Sequence, residues 1–404
     1  MREVDQELFD AAKQGNLSRV KRCIDRGASI YAKDTNGNTT LINAAFYGHK
    51  NVAEFLLNQG LSINGPGLNN FTPLHAAAEK GNLEVVKFLV GKGANIYAKS
   101  NKENNPLHIA AENGHKDIVE FFLSKECDTC VSVVDAPGVT ITSYQRVNID
   151  CTSKEGCTPL QYASNNGKLE VVKFLVAKGA NIYAENICKN KALHAAALRG
   201  HKNVVEFFLN QGLNVKEQGE LGYTPLHFAA QGGHIEVIKF LLAKGASIYD
   251  KSTDGSKPVH AAALHGRKNV VEFFLNQGLS INDTGEIGFT LLHFAAQEGQ
   301  LEVVKFLLGR GADANVKNDC GEKPIDIARR KDHSSIVELL SPHTYPDCVI
   351  LSIHSNRKQQ EAFLRGISNA DVKQGLYLPS FEVRNVKING KCTAITRGLS
   401  QNLS

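Results

Sequence analysis

Fourteen histidines and nine cysteines are the residues of this 404-residue chain suited to holding a metal or moving a proton near neutral pH. Four of the cysteines gather around one stretch, as Cys127-x-x-Cys130 followed by Cys151 and Cys157. Four thiolates satisfy a tetrahedral structural zinc. Five residues separate the second pair, and the same set also reads as free thiols or, under oxidising conditions, as a disulfide. The histidines follow a rhythm instead. His75, His108, His194, His227, His260 and His293 fall at one recurring position, and His49, His115, His201 and His234 at a second. A side chain needed once per structural period reads as a hydrogen bond between neighbouring elements, not as catalysis. No phosphate loop, nucleophile elbow or paired-carboxylate constellation stands outside that rhythm, so the sequence predicts no enzyme and calls for no cofactor.

The rhythm belongs to the whole chain. Leu8, Leu41, Leu74, Leu107, Leu160, Leu193, Leu226, Val259, Leu292 and Ile325 occupy equivalent places, each 33 residues after the last except for one step of 53. A fixed period of this length is the signature of a solenoid. Ten units with one 20-residue insertion account for the spacing.

Within a unit, Thr72-Pro73-Leu74-His75 reads as a helix start, because Thr caps and Pro is pre-set for the first helical position. Three residues after the index every unit carries Ala, from Ala11 to Ala328, small enough for successive first helices to approach closely. Seven residues after it nine units carry Gly, such as Gly81, and the tenth Asp332; the position predicts a helix end with positive φ. A second helix follows, with Leu83, Val86, Leu89 and Val90 expected on its apolar face and Glu84 and Lys87 in solvent. Neither helix buries its face alone, so neighbouring units must supply the core.

The Thr-Pro-Leu-His-Ala-Ala start, the two Gly positions and the Val-Val-Lys-Phe-Leu helix resemble ankyrin repeats over residues 5–340. The resemblance implies an all-α solenoid of ten helix-turn-helix units with projecting hairpin-like connections, acting in non-catalytic protein–protein recognition as adaptor, scaffold or inhibitor. Departures are local: Thr is absent at Asn105, Lys191, Lys257 and Lys323, and His gives way to Ile42, Gln161 and Asp326. These are expected to weaken individual helix starts. Units also alternate in a second rhythm, Lys-Asn-Val-like helix starts against Leu-Glu-Val-Val-Lys-Phe-Leu, which implies a 66-residue module copied as pairs.

Three domains or segments follow: an array over 1–340 with capping end units, an insertion at 127–146 whose alternation and Pro137-Gly138 predict a hairpin, and a tail at 341–404 with a hairpin predicted at 381–396 and a short helix at 359–366. The tail holds eight Lys/Arg against four Asp/Glu, whereas the first 340 residues hold 38 against 37. So balanced an array disfavours nucleic acid, whose affinity needs clustered cations. The odd, scattered cysteines and the absence of an apolar h-region at Met1–Glu7 predict a reducing, cytoplasmic setting. The run Asn389–Gln401 faintly resembles latrotoxin-type ankyrin proteins, which implies an alternative: a toxin-like or host-directed protein, secreted by a route not visible in this sequence.

Contact candidates come from the connections. Tyr31, Tyr97, Tyr183 and Tyr249 recur every second unit, always after Ile, where the family usually carries a small polar residue. They read either as rings packed on neighbouring connections or as a ladder on the concave face that anchors a protein partner. Asp34, Asn36, Lys99, Asn101, Lys102, Glu185, Glu217, Lys251, Asp254 and Asp283 stand on or beside the projecting tips. The partner itself is not written in the repeats, since fold does not fix function.

Overall fold

A computed structural model describes residues 2–124, 129–134, 140–145, 147–344, 386–388 and 391–393. The chain divides into two compact units, Met1–Pro342 and His343–Ser404. The first is the expected ankyrin-type solenoid: twenty α-helices among the described residues, two per repeat, from Glu3–Lys13 to Ser334–Leu340.

The third repeat shows why each pair forms. Thr72 is extended (φ −94°, ψ 166°) and its side chain accepts from the His75 amide. In return His75 Nδ1 accepts the Thr72 N–H at 3.2 Å, a reciprocal cap with His in the place usually taken by Glu. Pro73 opens the helix, which runs to Lys80 and stops at Gly81 (φ 77°). The second helix, Leu83–Gly91, buries Val85, Val86 and Leu89. That adds Val85 to the expected face: Val86 and Leu89 are fully buried, and Leu83 and Val90 are half-buried and packed against the core.

Successive first helices pack on one another, as do successive second helices. The alanine column makes this possible, since all ten residues from Ala11 to Ala328 are completely buried. The insertion does not interrupt the stack: the first helix Pro106–Asn113 packs on Pro159–Asn165 and the second helix Lys116–Leu123 on Leu169–Ala177. Within the insertion, β1 (Thr129–Val134) pairs antiparallel with β2 (Thr140–Gln145), Thr129 opposite Gln145 and Val134 opposite Thr140.

The two-repeat rhythm has a physical counterpart. Phe88, in a Val-Lys-Phe-Leu helix, lies under Lys50 of the preceding repeat (5.7 Å) and Lys92 of its own (5.9 Å). Phe174, Phe240 and Phe306 are flanked in the same way, by Lys116 and Lys178, Lys202 and Lys244, Lys268 and Arg310. Each cation–ring contact contributes about 0.5–1 kcal/mol at such sites, and half of them join the two members of a copied pair.

Glycine requirements differ between the two helix ends of one repeat. A Cβ on Gly81 would stand 2.6 Å from the His115 ring, whereas around Gly93 (φ 87°) there is nothing within 4 Å. Both substitutions strain a left-handed backbone, but only the first also collides with the next repeat. Gly81→Ala is therefore expected to lose about 2–3 kcal/mol and Gly93→Ala about 1 kcal/mol in denaturant titrations; equal losses would show that the close approach of His115 is immaterial.

In the second unit, β3 (Val386–Ile388) pairs antiparallel with β4 (Lys391–Thr393). The helix expected at 359–366 lies outside the described residues, as does most of the hairpin expected over 381–396.

Candidate functional site

The recurring histidines are fully engaged in joining repeats. With Nδ1 accepting from the backbone, the proton sits on Nε2, and His75 donates it to the Asn104 carbonyl of the following connection at 2.9 Å. His194 does the same to Glu217, His227 to Ser256 and His293 to Glu322, at 2.9–3.1 Å. All six rings are at most 1% exposed. Burial lowers the pKa of His75, His108, His194, His227 and His260 to about 4, and lowers that of His293 as well. A ring held neutral with both nitrogens occupied is not poised as a general base. The second set reaches backwards: His49 to the Lys13 carbonyl, His115 to Glu79, His201 to Asn165 and His234 to Leu198, at 2.9–3.0 Å.

Some of the departures are substitutions in kind: the Asn105 side chain still accepts from the His108 N–H at 3.2 Å. Gln161 accepts the Thr158 N–H (2.8 Å) and donates onward to the carbonyls of Ala184 and Asn190, so a glutamine amide copies both histidine bonds. Asp326 accepts from the Lys323 N–H at 3.0 Å, in the last of the ten repeats. Lys191 and Lys257 offer no capping oxygen, and their side chains form ion pairs instead. Lys191 Nζ meets Glu185 and Glu217 at 2.9 and 3.0 Å, and Lys257 Nζ meets Asp283 at 2.6 Å.

That pairing redistributes the contact candidates. Glu217 and Asp283 belong to inter-repeat ion pairs, as does the more exposed Glu185. Asp34 is buried, its carboxylate accepting from Asn36, Asn38 and Asn43, which makes it a turn-builder. Lys99 pairs with Glu103 at 2.8 Å in solvent. Asn101 bonds across to Asn69, and Asp254 accepts from Ser252 and Ser256. Asn36, Lys102 and Lys251 are exposed. Tyr31, Tyr183 and Tyr249 are 68%, 54% and 56% exposed, whereas Tyr97 is half-buried against the core. The Tyr31 hydroxyl comes within 4.0 Å of where a Gly60 Cβ would stand, beside the end of the second helix Lys50–Asn58.

Three exposed aliphatic tip residues escaped the sequence reading, Leu68, Leu221 and Ile287, while Ile187 lies on the tip already singled out with Glu185. The signal was present, because the connections otherwise carry polar and turn-forming residues there.

Cys151 and Cys157 are turned to amides, Cys151 Sγ accepting from Asn105 at 3.2 Å and Cys157 Sγ from Asn186 at 3.6 Å. Burial pushes the Cys151 thiol up to about 11 and raises Cys157 as well, which favours protonated sulfur. Cys127 and the Cys130 side chain lie outside the described residues; among the described residues no three His, Cys, Asp or Glu side chains are grouped to hold a metal.

Comparison with known proteins agrees with this geometry. The family described as ankyrin repeats (3 copies) matches in overlapping segments over 8–100, 97–186, 136–218, 184–252, 248–318 and 292–363. The chain belongs to the ankyrin repeat family. As such an array it is a protein–protein interaction module, in a family that is typically non-catalytic. Osteoclast-stimulating factor 1 of Gallus gallus is 43% identical over 47 residues, 12% of this chain and 23% of that protein. The Danio rerio protein of the same name is also 43% identical over 47 residues, 22% of its length. The ankyrin chain thus spans under a quarter of the curated relatives it matches. The crystal structure of the human ASB11 ankyrin repeat domain is similar at 27% identity and a TM-score of 0.48, over 59% of this chain and 98% of that one. No helix among the described residues is long and apolar enough to cross a membrane.

Proposed function

We propose that the array is a non-catalytic adaptor, scaffold or inhibitor that holds a partner protein through its connection tips and its row of tyrosines, in a cytoplasmic setting. The observation that carries this reading is the exposure of Tyr31, Tyr183 and Tyr249, each more than half open to solvent at one recurring position. An exposed ring contributes little to folding, yet tyrosine is among the residues that anchor protein interfaces. The toxin-like alternative rests on residues 389–401, of which only 391–393 are described, and nothing in the array favours it.

The test is a triple Tyr31→Ala/Tyr183→Ala/Tyr249→Ala chain compared with wild type in affinity capture from the native tissue and in thermal melting. Capture of the partner should fall about tenfold or more, with the melting temperature nearly unchanged. Undiminished capture would remove the tyrosines from the interface, and lost stability would make them structural.

A further inference from the structure

The last four connections differ from the earlier ones in charge. Residues 213–223, 246–256, 279–289 and 312–322 together hold nine Asp/Glu against three Lys, whereas those of repeats two to six hold five of each. Several acids are answered from nearby: Asp250 by Lys216, Glu217 by Lys191, Asp283 by Lys257 and Glu322 by Arg330. Glu220, Asp254, Glu286 and Asp319 meet no Lys or Arg at ion-pair distance among the described residues.

The same tips present aliphatic side chains to water. Leu221 is 62% and Ile287 49% exposed, and both sit in left-handed backbone, at φ 53° and 49°. The equivalent residue of the third repeat is Asn69, at φ 56°. Asn tolerates that conformation; a β-branched residue such as Ile does so only under strain. An aliphatic side chain that is both strained and solvated contributes nothing to the fold, and such residues persist where function holds them.

The tips are also continuous. The Thr253 N–H donates to the Leu221 carbonyl at 2.9 Å and the Asp319 N–H to the Ile287 carbonyl at 3.0 Å, while the Glu286 N–H reaches Ser256 Oγ at 3.4 Å. Acidic and aliphatic groups therefore alternate along one ridge. Negative charge is concentrated enough there to be felt by its own members: burial and Asp254 raise the Glu286 carboxyl, and burial, Asp254, Glu286 and Glu220 push Tyr223 up to about 12.

We propose that this ridge docks a cationic, aliphatic-bearing peptide segment of a partner protein, whose basic side chains meet Glu220, Asp254, Glu286 and Asp319 and whose aliphatic ones cover Leu221 and Ile287. The inference rests on the recognition reading above and specifies the partner's chemistry. Opposite charge steers the encounter and rejects anionic competitors, and burial of the two aliphatic side chains supplies affinity.

The test uses the full chain and three fluorescently labelled synthetic peptides in anisotropy titrations: alternating Lys-Leu, Glu-Leu and Lys-Ser octamers. The Lys-Leu peptide should bind best, more weakly as salt rises. Leu221→Asn/Ile287→Asn should weaken it about tenfold or more with an unchanged or higher melting temperature, because Asn suits the left-handed backbone. Glu220→Gln/Glu286→Gln should weaken it and flatten the salt dependence. Equal binding of the Glu-Leu peptide, no binding of the Lys-Leu peptide, or indifference to both variants overturns the proposal. If the intact array still captures a partner from tissue after such a failure, recognition stands and only the assignment of this ridge falls.

Discussion

Acidification from pH 7.5 to 5.5 is expected to remove several kcal/mol of stability from the array. Five buried histidines have folded-state pKa values lowered to about 4 from 6.5. The folded chain therefore binds fewer protons than the unfolded chain between those values, so stability rises with pH through that window and falls as pH drops below 6.5. At pH 5.5 each unfolded ring is largely protonated while its folded counterpart is not, a difference on the order of 1 kcal/mol per ring and several kcal/mol for five. Carboxylates held low by lysines, such as Glu170 beside Lys173, titrate below this window and do not offset the loss. Gln161 supplies the control, since it makes the same two kinds of bond without titrating in this range. His227→Gln should reduce the slope of stability against pH by about a fifth, with little change at pH 7.5. Denaturant midpoints across the range, with ring protonation followed by NMR, decide the matter: rings titrating near 6.5 in the folded chain would defeat this account.

Which parts of the molecule were legible in advance follows from where their constraints lie. Leu74 and Ala77 answer to demands repeated in all ten units, Gly81 to one met in nine and His75 to one met in six, so copying exposes them to anyone who aligns the period. Even the role of His75 as a tie was readable, because a side chain needed once per period has a partner one period away. The contact residues were harder. Asp283 looks free in sequence and is claimed by Lys257 at a distance of 26 residues; only the stacking of repeats brings that lysine to it. Leu221 and Ile287 look like ordinary core residues until their backbone angles place them outward on a tip. The second-helix face was read without one of its members: periodicity fixes a stripe, and Val85 is fully buried beside Val86 and Leu89 while Leu83 and Val90 pack half-buried at its edges. Repetition thus reveals what the repeats share and hides what each one adds.

The second large effect concerns the alanine column. Ala196→Leu is expected to cost about 3 kcal/mol or more and to split unfolding of the array into two transitions. Ala196 is completely buried, in the first helix Ala192–Arg199, which packs on Pro159–Asn165 before it and Pro225–Gly232 after it. Three added carbons have no space on either side, so the helices must separate, and overpacking of this kind costs about 1–3 kcal/mol at a single interface. Here two interfaces share the residue. In a solenoid the coupling between neighbours is what makes the array melt as one body. Weakening it at the sixth repeat should let the halves on either side unfold independently, which a single bulky residue in a globular core would not do. Ala195→Leu is the matched control, since Ala195 lies in the same helix but is half-buried, and its cost should be about 1 kcal/mol or less. Urea titrations followed by circular dichroism, with protease protection reporting on each half, measure both quantities. A single cooperative transition for Ala196→Leu at wild-type stability would mean that the column is not what sets the spacing of the first helices.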